Sequence, residues 1–326
     1  MSCDEVPPPR VTVVIPTFNR MRFLPSAVRS ALDQTLLETE VVIVDDGSTD
    51  STPAVCSSLA ARDQRVRVIR QPNRGLASAR NTGLAAAKAE WTAFLDDDDL
   101  WVPDALAVMS GNVSDDDAVA GLCRRFDSED PDLVAATIVA NPARFHAVQW
   151  PPGAPPPTIT LKEILLRPLI PIPAALFRRS RLIALGGFDE NLAAGEDYDL
   201  WLRWTASTPV RVVPSLVALV RSHQGQMSAD LGRQAHETRR ALEAFLTRHQ
   251  EAWIVAGRSR LRRRLAALAQ EEAYAALLAR DRAAAGIAAW RSIRWYPGRP
   301  KAWLYLGLAP IPSIHTLLRR LGGRIK

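Results

Sequence analysis

Cysteine is scarce in this chain. Cys3, Cys56 and Cys123 are the three among 326 residues, and their odd number and unpatterned spacing offer neither a disulfide framework nor a zinc site. That usage suits a reducing compartment, so cytoplasm is the expected location. Long apolar runs are also missing: nothing approaches the roughly 20 residues of a membrane span. The N-terminal MSCDEVPPPR is acidic and proline-rich where a secretion signal would be basic and then apolar, so the sequence reads as neither exported nor transmembrane. No G-x-x-x-x-G-K-[ST] stretch occurs, which excludes a P-loop kinase. PTFNR, after the first apolar run, lacks the glycines expected of a nucleotidyltransferase phosphate loop.

Apolar content is not lacking. At 47% hydrophobic residues the chain can bury a large core and fold alone. Charge is unevenly spread: residues 231–326 hold 19 Lys/Arg against 6 Asp/Glu, whereas residues 1–230 hold 22 against 29. The split suggests an acidic, cation-using part followed by a basic part suited to an anionic surface, or simply to solvated helix faces.

Apolar runs alternate with helix-sized segments. VTVVI (11–15) is a strand, 21–34 an amphipathic helix, EVVIVDDGSTD (40–50) a strand ending in acids, and 51–62 a helix. VRVIR (66–70), an alanine-rich helix over 77–87 and EWTAFLDDDD (90–99) extend the series. The alternation implies parallel strands covered on both faces, with ligands bound beyond their carboxyl ends. Thr17 and Asn19, Asp45 and Asp46, Asn73 and Arg74, and Asp96 to Asp99 fall at those ends, on one rim. Any one of these loops has ordinary turn composition; their convergence is what points to a site. Four adjacent carboxylates repel one another, and a bound cation would reverse that cost.

From about 111 to 160 the pattern gives way to acidic (SDDD, DSEDPD) and proline-rich (PPGAPPP) stretches that read as insertions. Order returns with 170–192, an apolar segment, a short helix and a Gly-Gly turn, and with GEDYDLWLRWTAS (195–207), a helix with acids in its first turn. Two strands, VRVVP and VALVRSH, follow. Residues 258–326 read as helices, one pair of which resembles a degenerate tetratricopeptide-type unit. The same tail pairs Trp and Leu with Arg and Lys as an interfacial membrane helix does, and packing against the rest of the chain is a third reading.

VVIPTFNR, VVIVDDGSTDST, NRGLASARNTG, FLDDDDLW, GGFDENL and GEDYDLWLR, in this order and over about residues 10–225, resemble the family-2 inverting glycosyltransferases. The resemblance implies an α/β fold of the GT-A nucleotide-sugar-binding type, a mostly parallel sheet covered by helices, with a helical C-terminal extension. It implies a transferase that moves sugar from a nucleotide-diphospho-sugar, of the UDP or dTDP kind, to a hydroxyl acceptor in glycan or glycoconjugate biosynthesis. Mg²⁺ or Mn²⁺ is the implied cofactor, because a leaving nucleoside diphosphate needs its charge neutralised. By similarity to the family's D-x-D element, Asp98 is the metal ligand, and Asp96 and Asp97 reach the ribose or metal-bound water. The alternative register is Asp97/Asp99.

By the same resemblance Asp46 meets the base, Arg80 faces the nucleotide, and Pro16, Thr17 and Asn19 line its pocket. His223 is a second candidate metal ligand, whereas His146, His236, His249 and His315 have no supporting context. The general base carries over to Asp197. On a helix beginning near Glu196 it stands about 100° from Glu196 and about 200° from Asp199, so the three acids cannot share one cleft. The implied division is a flexible 1–10, a transferase domain over 11–228 with nucleotide-binding (11–110) and acceptor (111–228) halves, and a basic helical extension over 229–326. Expected partners are the nucleotide sugar, a glycan, lipid-linked or small-molecule acceptor, and an anionic membrane surface at the inner face of the cell membrane; nucleic acid is not expected. Competing readings are a non-catalytic sugar-nucleotide or helical-repeat binding protein, or a nucleotidyltransferase.

Overall fold

β-branched runs become parallel strands wherever a helix-sized segment separates them. The computed structural model describes residues 8–113, 117–126, 158–222 and 230–309. Strands β1 (Val11–Thr17), β2 (Thr39–Asp45), β3 (Val66–Arg70) and β4 (Trp91–Phe94) pair in parallel in the order β3-β2-β1-β4. Every residue of β1 and β2 is buried, as a sheet covered on both faces requires. Helices α1 (Leu24–Leu32), α2 (Thr52–Arg62) and α3 (Leu76–Ala86) make the crossovers. Helix α1 carries Pro25 in its first turn and buries Leu24, Ala27, Val28 and Ala31, one stripe at helical spacing.

Beyond β4 the directions mix. The order continues through β8 (Ala175–Arg178), β6 (Ala118–Phe126), β9 (Val210–Arg221) and β5 (Leu100–Trp101), and β7 (Thr158–Ile159) pairs β9. Strand β8 is antiparallel to β4 and β6, β6 is parallel to β9, and β5 and β7 are antiparallel to β9. Six of the nine strands among the described residues therefore share one direction, a mixed α/β sheet with helices around it.

The stretch read as insertions needs correction. Residues 118–126 form a strand in the sheet interior, hidden because AVAGLCRRF is rich in small residues and carries two arginines just before its last residue. Smallness has a packing reason: a Cβ on Gly121 would stand 2.5 Å from both γ-carbons of Val217 on β9. The two strands expected over 210–223 are one, and its register with β6 jumps from Val212 to Leu216, passing Pro214, which has no N–H to give. The short helix expected in 170–192 is preceded by β8 and is α6 (Arg179–Ala184). After it Gly187 has φ +65, and a Cβ there would lie 2.5 Å from Asn81 Oδ1.

Two compact units divide the chain. The first takes Met1–Thr160, Pro168–Asn191 and Arg203–Gln224 and holds the sheet; the second takes Leu161–Arg167, Leu192–Leu202 and Gly225–Lys326. Within the first, the core joins β1, β2, α1 and helix α4 (Ala105–Gly111) through Ile15, Ile43, Val28 and Met109. The second is helical: α5 (Leu161–Leu166), α8 (Leu231–Arg248), α9 (Ala252–Val255), α10 (Arg258–Leu278), α11 (Arg282–Trp295) and α12 (Pro300–Leu308). Helix α7 (Glu196–Thr205) begins in the second unit and ends in the first. Asp230 and Asp281 cap α8 and α11 by accepting the N–H of Arg233 and Ala284, each at 2.9 Å. No helix among the described residues is long and apolar enough to cross a membrane.

Candidate functional site

The carboxyl ends of β1, β2 and β4 meet at one rim of the first unit. Asp46 N–H donates to the Thr17 carbonyl at 2.9 Å, which ties the end of β2 to the end of β1. Asn19, at φ 54, accepts the N–H of Thr49 at 2.8 Å on Oδ1 and gives its own N–H to Ser48 Oγ at 2.9 Å. Asn19 thus shapes the DDGST turn. Gly47 completes that turn at φ +78, with Asn73 N only 2.8 Å from where a Cβ would stand. Pro16, the penultimate residue of β1, is buried beneath the rim.

Asp46 organises the loop that follows β3. Its Oδ1 accepts Gln71 Nε2 at 2.7 Å and Arg74 N–H at 3.0 Å, and its Oδ2 accepts Gly75 N–H at 2.8 Å. A carboxylate offers about four acceptor positions, so these three bonds leave one for a ligand N–H. The neighbouring Asp45 is buried and accepts Ser48 N–H at 2.9 Å.

The four acids lie in the loop between β4 and β5, held from three sides by arginines. Arg80 is buried on α3, bonds Asp96 at 2.7 Å and lies 5.3 Å over the Phe188 ring. Arg20 Nε stands 3.9 Å from Asp97. Arg221, at the end of β9, gives its N–H to Asp99 Oδ1 at 2.8 Å and its Nε to the Asp98 carbonyl at 2.9 Å, its guanidinium 4.5 Å over Phe126 and 4.9 Å over Phe23. Burial, and then Asp98, hold the Asp97 carboxyl well above the usual carboxylate range, against the pull of the Thr17 hydroxyl and Arg20. Burial, then Asp96 and Asp98, do the same to Asp99, opposed by its bond from Arg221. Burial is the larger cost to these two carboxylates, and the neighbouring acids add to it. Its donors are all oxygens, the set that suits Mg²⁺ or Mn²⁺. Among the described residues no trio of His, Cys, Asp and Glu forms a ready metal cage; for ions that keep waters and phosphate oxygens, one or two carboxylates are enough.

Of the residues singled out from the sequence, Pro16, Thr17, Asn19, Asp46, Arg80, Asp96, Asp97 and Asp98 stand in the first unit, at this rim. Asp197 is in the first turn of α7, in the part belonging to the second unit. It is half-buried, while Glu196 and Asp199 are buried. His223 lies outside the described residues. Sequence reasoning missed Gln71, Asn81 and Arg221. Asn81 accepts Phe188 N–H at 2.8 Å and donates to the Phe188 carbonyl at 2.9 Å, fixing the Gly-Gly-Phe turn whose ring carries Arg80. Its position in ARN was the available signal; Arg221 had none, because its hydrogen-bond partners Asp98 and Asp99 lie more than a hundred residues earlier.

The chain resembles known proteins along the segment that builds this rim. The model of "Glycosyl transferase family 2" matches residues 12–180. A "Chondroitin synthase" of Pasteurella multocida is 31% identical over 195 residues, 60% of this chain and 19% of that protein. An "Uncharacterized glycosyltransferase EpsJ" of Bacillus subtilis is 42% identical over 91 residues, 28% of this chain and 26% of that one. The chain thus spans about a fifth to a quarter of these curated relatives. Among solved structures, S. aureus TarS in complex with UDP-GlcNAc superposes with TM-score 0.56 at 17% identity, over 95% of this chain and 92% of that one. The mannosyltransferase PcManGT from Pyrobaculum calidifontis, in complex with GDP-Man and Mn²⁺, gives TM-score 0.59 at 20% identity, over 99% and 89%. At such identities the likeness is one of fold.

Proposed function

Because this chain belongs to glycosyltransferase family 2, we propose that it transfers a sugar, with inversion, from a UDP- or dTDP-sugar to a hydroxyl acceptor in surface glycan or glycoconjugate biosynthesis. The observation that carries this reading is the acid loop after β4, set beside Asp46 and Arg80 on one rim. The remaining acceptor position on Asp46 suits an N–H of the base, Arg80 suits the nucleotide, and Asp96 and Asp97 suit the ribose or metal-bound water. Asp98 would hold Mg²⁺ or Mn²⁺, with His223 a second ligand. The ion supplies charge neutralisation to the leaving diphosphate. Ligands of the structural neighbours, UDP-GlcNAc in one and GDP-Man with Mn²⁺ in another, support a nucleotide-sugar donor and a divalent ion.

Inversion requires a base on the acceptor. Asp197 takes the hydroxyl proton as the oxygen bonds to the anomeric carbon and the bond to the diphosphate breaks, releasing the nucleoside diphosphate. Residues 11–228 form the transferase domain in this reading, acting at the cytoplasmic face, and the basic helices of 229–326 draw it to an anionic membrane surface. Two variants test the assignment. Asp98→Asn removes the Mn²⁺-dependent part of UDP binding and leaves the melting temperature in EDTA nearly unchanged. Asp197→Asn leaves UDP and Mn²⁺ affinity intact and lowers turnover by about 10²–10⁴. Equal UDP binding by Asp98→Asn and wild type in Mn²⁺ would contradict the metal assignment. An active Asp197→Asn beside an inactive Asp199→Asn would move the base.

A further inference from the structure

Helix α11 puts its large side chains on the outside. Its buried side is mostly small, Ala285, Ala288, Ala289 and Ser292, while Ile287 is 60% and Trp290 53% exposed. Ile287, Trp290, Arg291 and Arg294 recur at the spacing of one helix face. All four line a cavity of about 780 Å³ together with Trp253, Trp295 and Glu243. That volume is within the range of small-molecule and cofactor sites, ~300–1,000 Å³. The Trp253 and Trp295 rings stand 5.9 Å apart at 32°, a continuous aromatic wall.

Charge narrows the occupant. Glu243 accepts Trp295 Nε1 at 3.2 Å and pairs with Arg239 at 2.6 Å, so its carboxylate is neutralised within the unit. Arg291 stands 3.5 Å from Glu272, which also pairs with Arg239. Arg294 is exposed and makes no ion pair among the described residues. Arg239, Arg291 and Arg294 thus outnumber Glu243 and Glu272 by one positive charge, that of Arg294. An organic cation would gain from the indoles but is opposed by the arginines. A purely apolar segment would strip water from Arg294 without replacing it. An inorganic anion would leave three tryptophans without a role. A pyranose carrying a carboxylate satisfies both features: its C–H face lies on indole and its anionic group meets Arg291 or Arg294.

We propose that this cavity binds an acidic oligosaccharide, a holding site for a sugar chain in the helical unit. The transferase reading supplies the reason a sugar chain is at hand, and the geometry of the cavity supplies the rest. The test is a tryptophan-fluorescence and calorimetric titration of the full chain, without nucleotide sugar. The probe is a hexasaccharide of alternating glucuronic acid and N-acetylglucosamine, set against the neutral N-acetylglucosamine hexamer. The acidic hexamer should bind more tightly than the neutral one, and less tightly as salt is raised. Trp290→Ala and Arg294→Gln, both at exposed positions, should each weaken it about tenfold, the scale of an aromatic or arginine anchor, with the melting temperature and donor hydrolysis unchanged. No binding by wild type, or full affinity in both variants, overturns the proposal. So does phosphatidylglycerol-vesicle binding that Trp290→Ala abolishes while the hexamer fails to bind, which would assign the face to a membrane. Donor turnover without hexamer binding refutes the cavity alone, and hexamer binding without donor turnover supports the cavity while refuting the transferase reading.

Discussion

Replacing Asp46 by Asn changes one atom in shape and reverses its hydrogen-bonding character. Oδ1 accepts two donors, Gln71 Nε2 and Arg74 N–H, and Oδ2 accepts Gly75 N–H. In the variant the amide oxygen keeps the pair from Gln71 and Arg74, and the amide NH₂ then points at Gly75 N–H, donor against donor. Losing charge assistance from two bonds removes about 1 kcal/mol each, and the third bond is lost outright, ~1–3 kcal/mol if its donor were dry. Gly75 is exposed, so water replaces part of that bond. The expected cost is therefore about 2–3 kcal/mol. Urea unfolding without nucleotide, read as a shift in midpoint at constant slope, measures it. A loss within ~0.5 kcal/mol, the scale of an ordinary surface substitution, would refute the role of Asp46 as the organiser of the 71–75 loop.

Two further predictions concern the same unit. Asp97 and Asp99 have folded pKa values raised above the ordinary one, so the folded chain holds their protons more tightly than the unfolded chain. Their stability contribution is full below about pH 4, the unfolded Asp value, and is lost as pH rises through the raised folded values. Asp97→Asn in EDTA should flatten that fall and raise the melting temperature at neutral pH; a melting curve that falls as steeply as wild type between pH 4 and 8 would count against it. Gly83→Ala on α3 places a Cβ 2.2 Å from Val14 Cγ1 on β1. Helix propensity gains ~1 kcal/mol and overpacking costs ~1–3 kcal/mol. The net is destabilising, and a more stable variant by calorimetry would show that α3 can lift from the sheet without loss.

Local chemistry alone determined a good deal. β-branched runs with helix-length spacers gave β1 to β4 and α1 to α3 within a few residues of where they lie, because each of those signals is carried by side chains in the element itself. The rim was legible for the same reason: residues just past a parallel strand's carboxyl end must face its crevice. The direction of the later strands was not legible, nor was β6, since AVAGLCRRF becomes a strand only when β8 and β9 supply hydrogen bonds on both sides. Tertiary structure also decided what the rim residues do. Asp46 binds the loop after β3, Asn19 braces the turn after β2, and Arg221 reaches Asp98 and Asp99 from the end of β9. Periodicity and propensity act over a few residues, whereas these contacts join positions about thirty to more than a hundred residues apart, and their partners exist only once the sheet has brought the strand ends together.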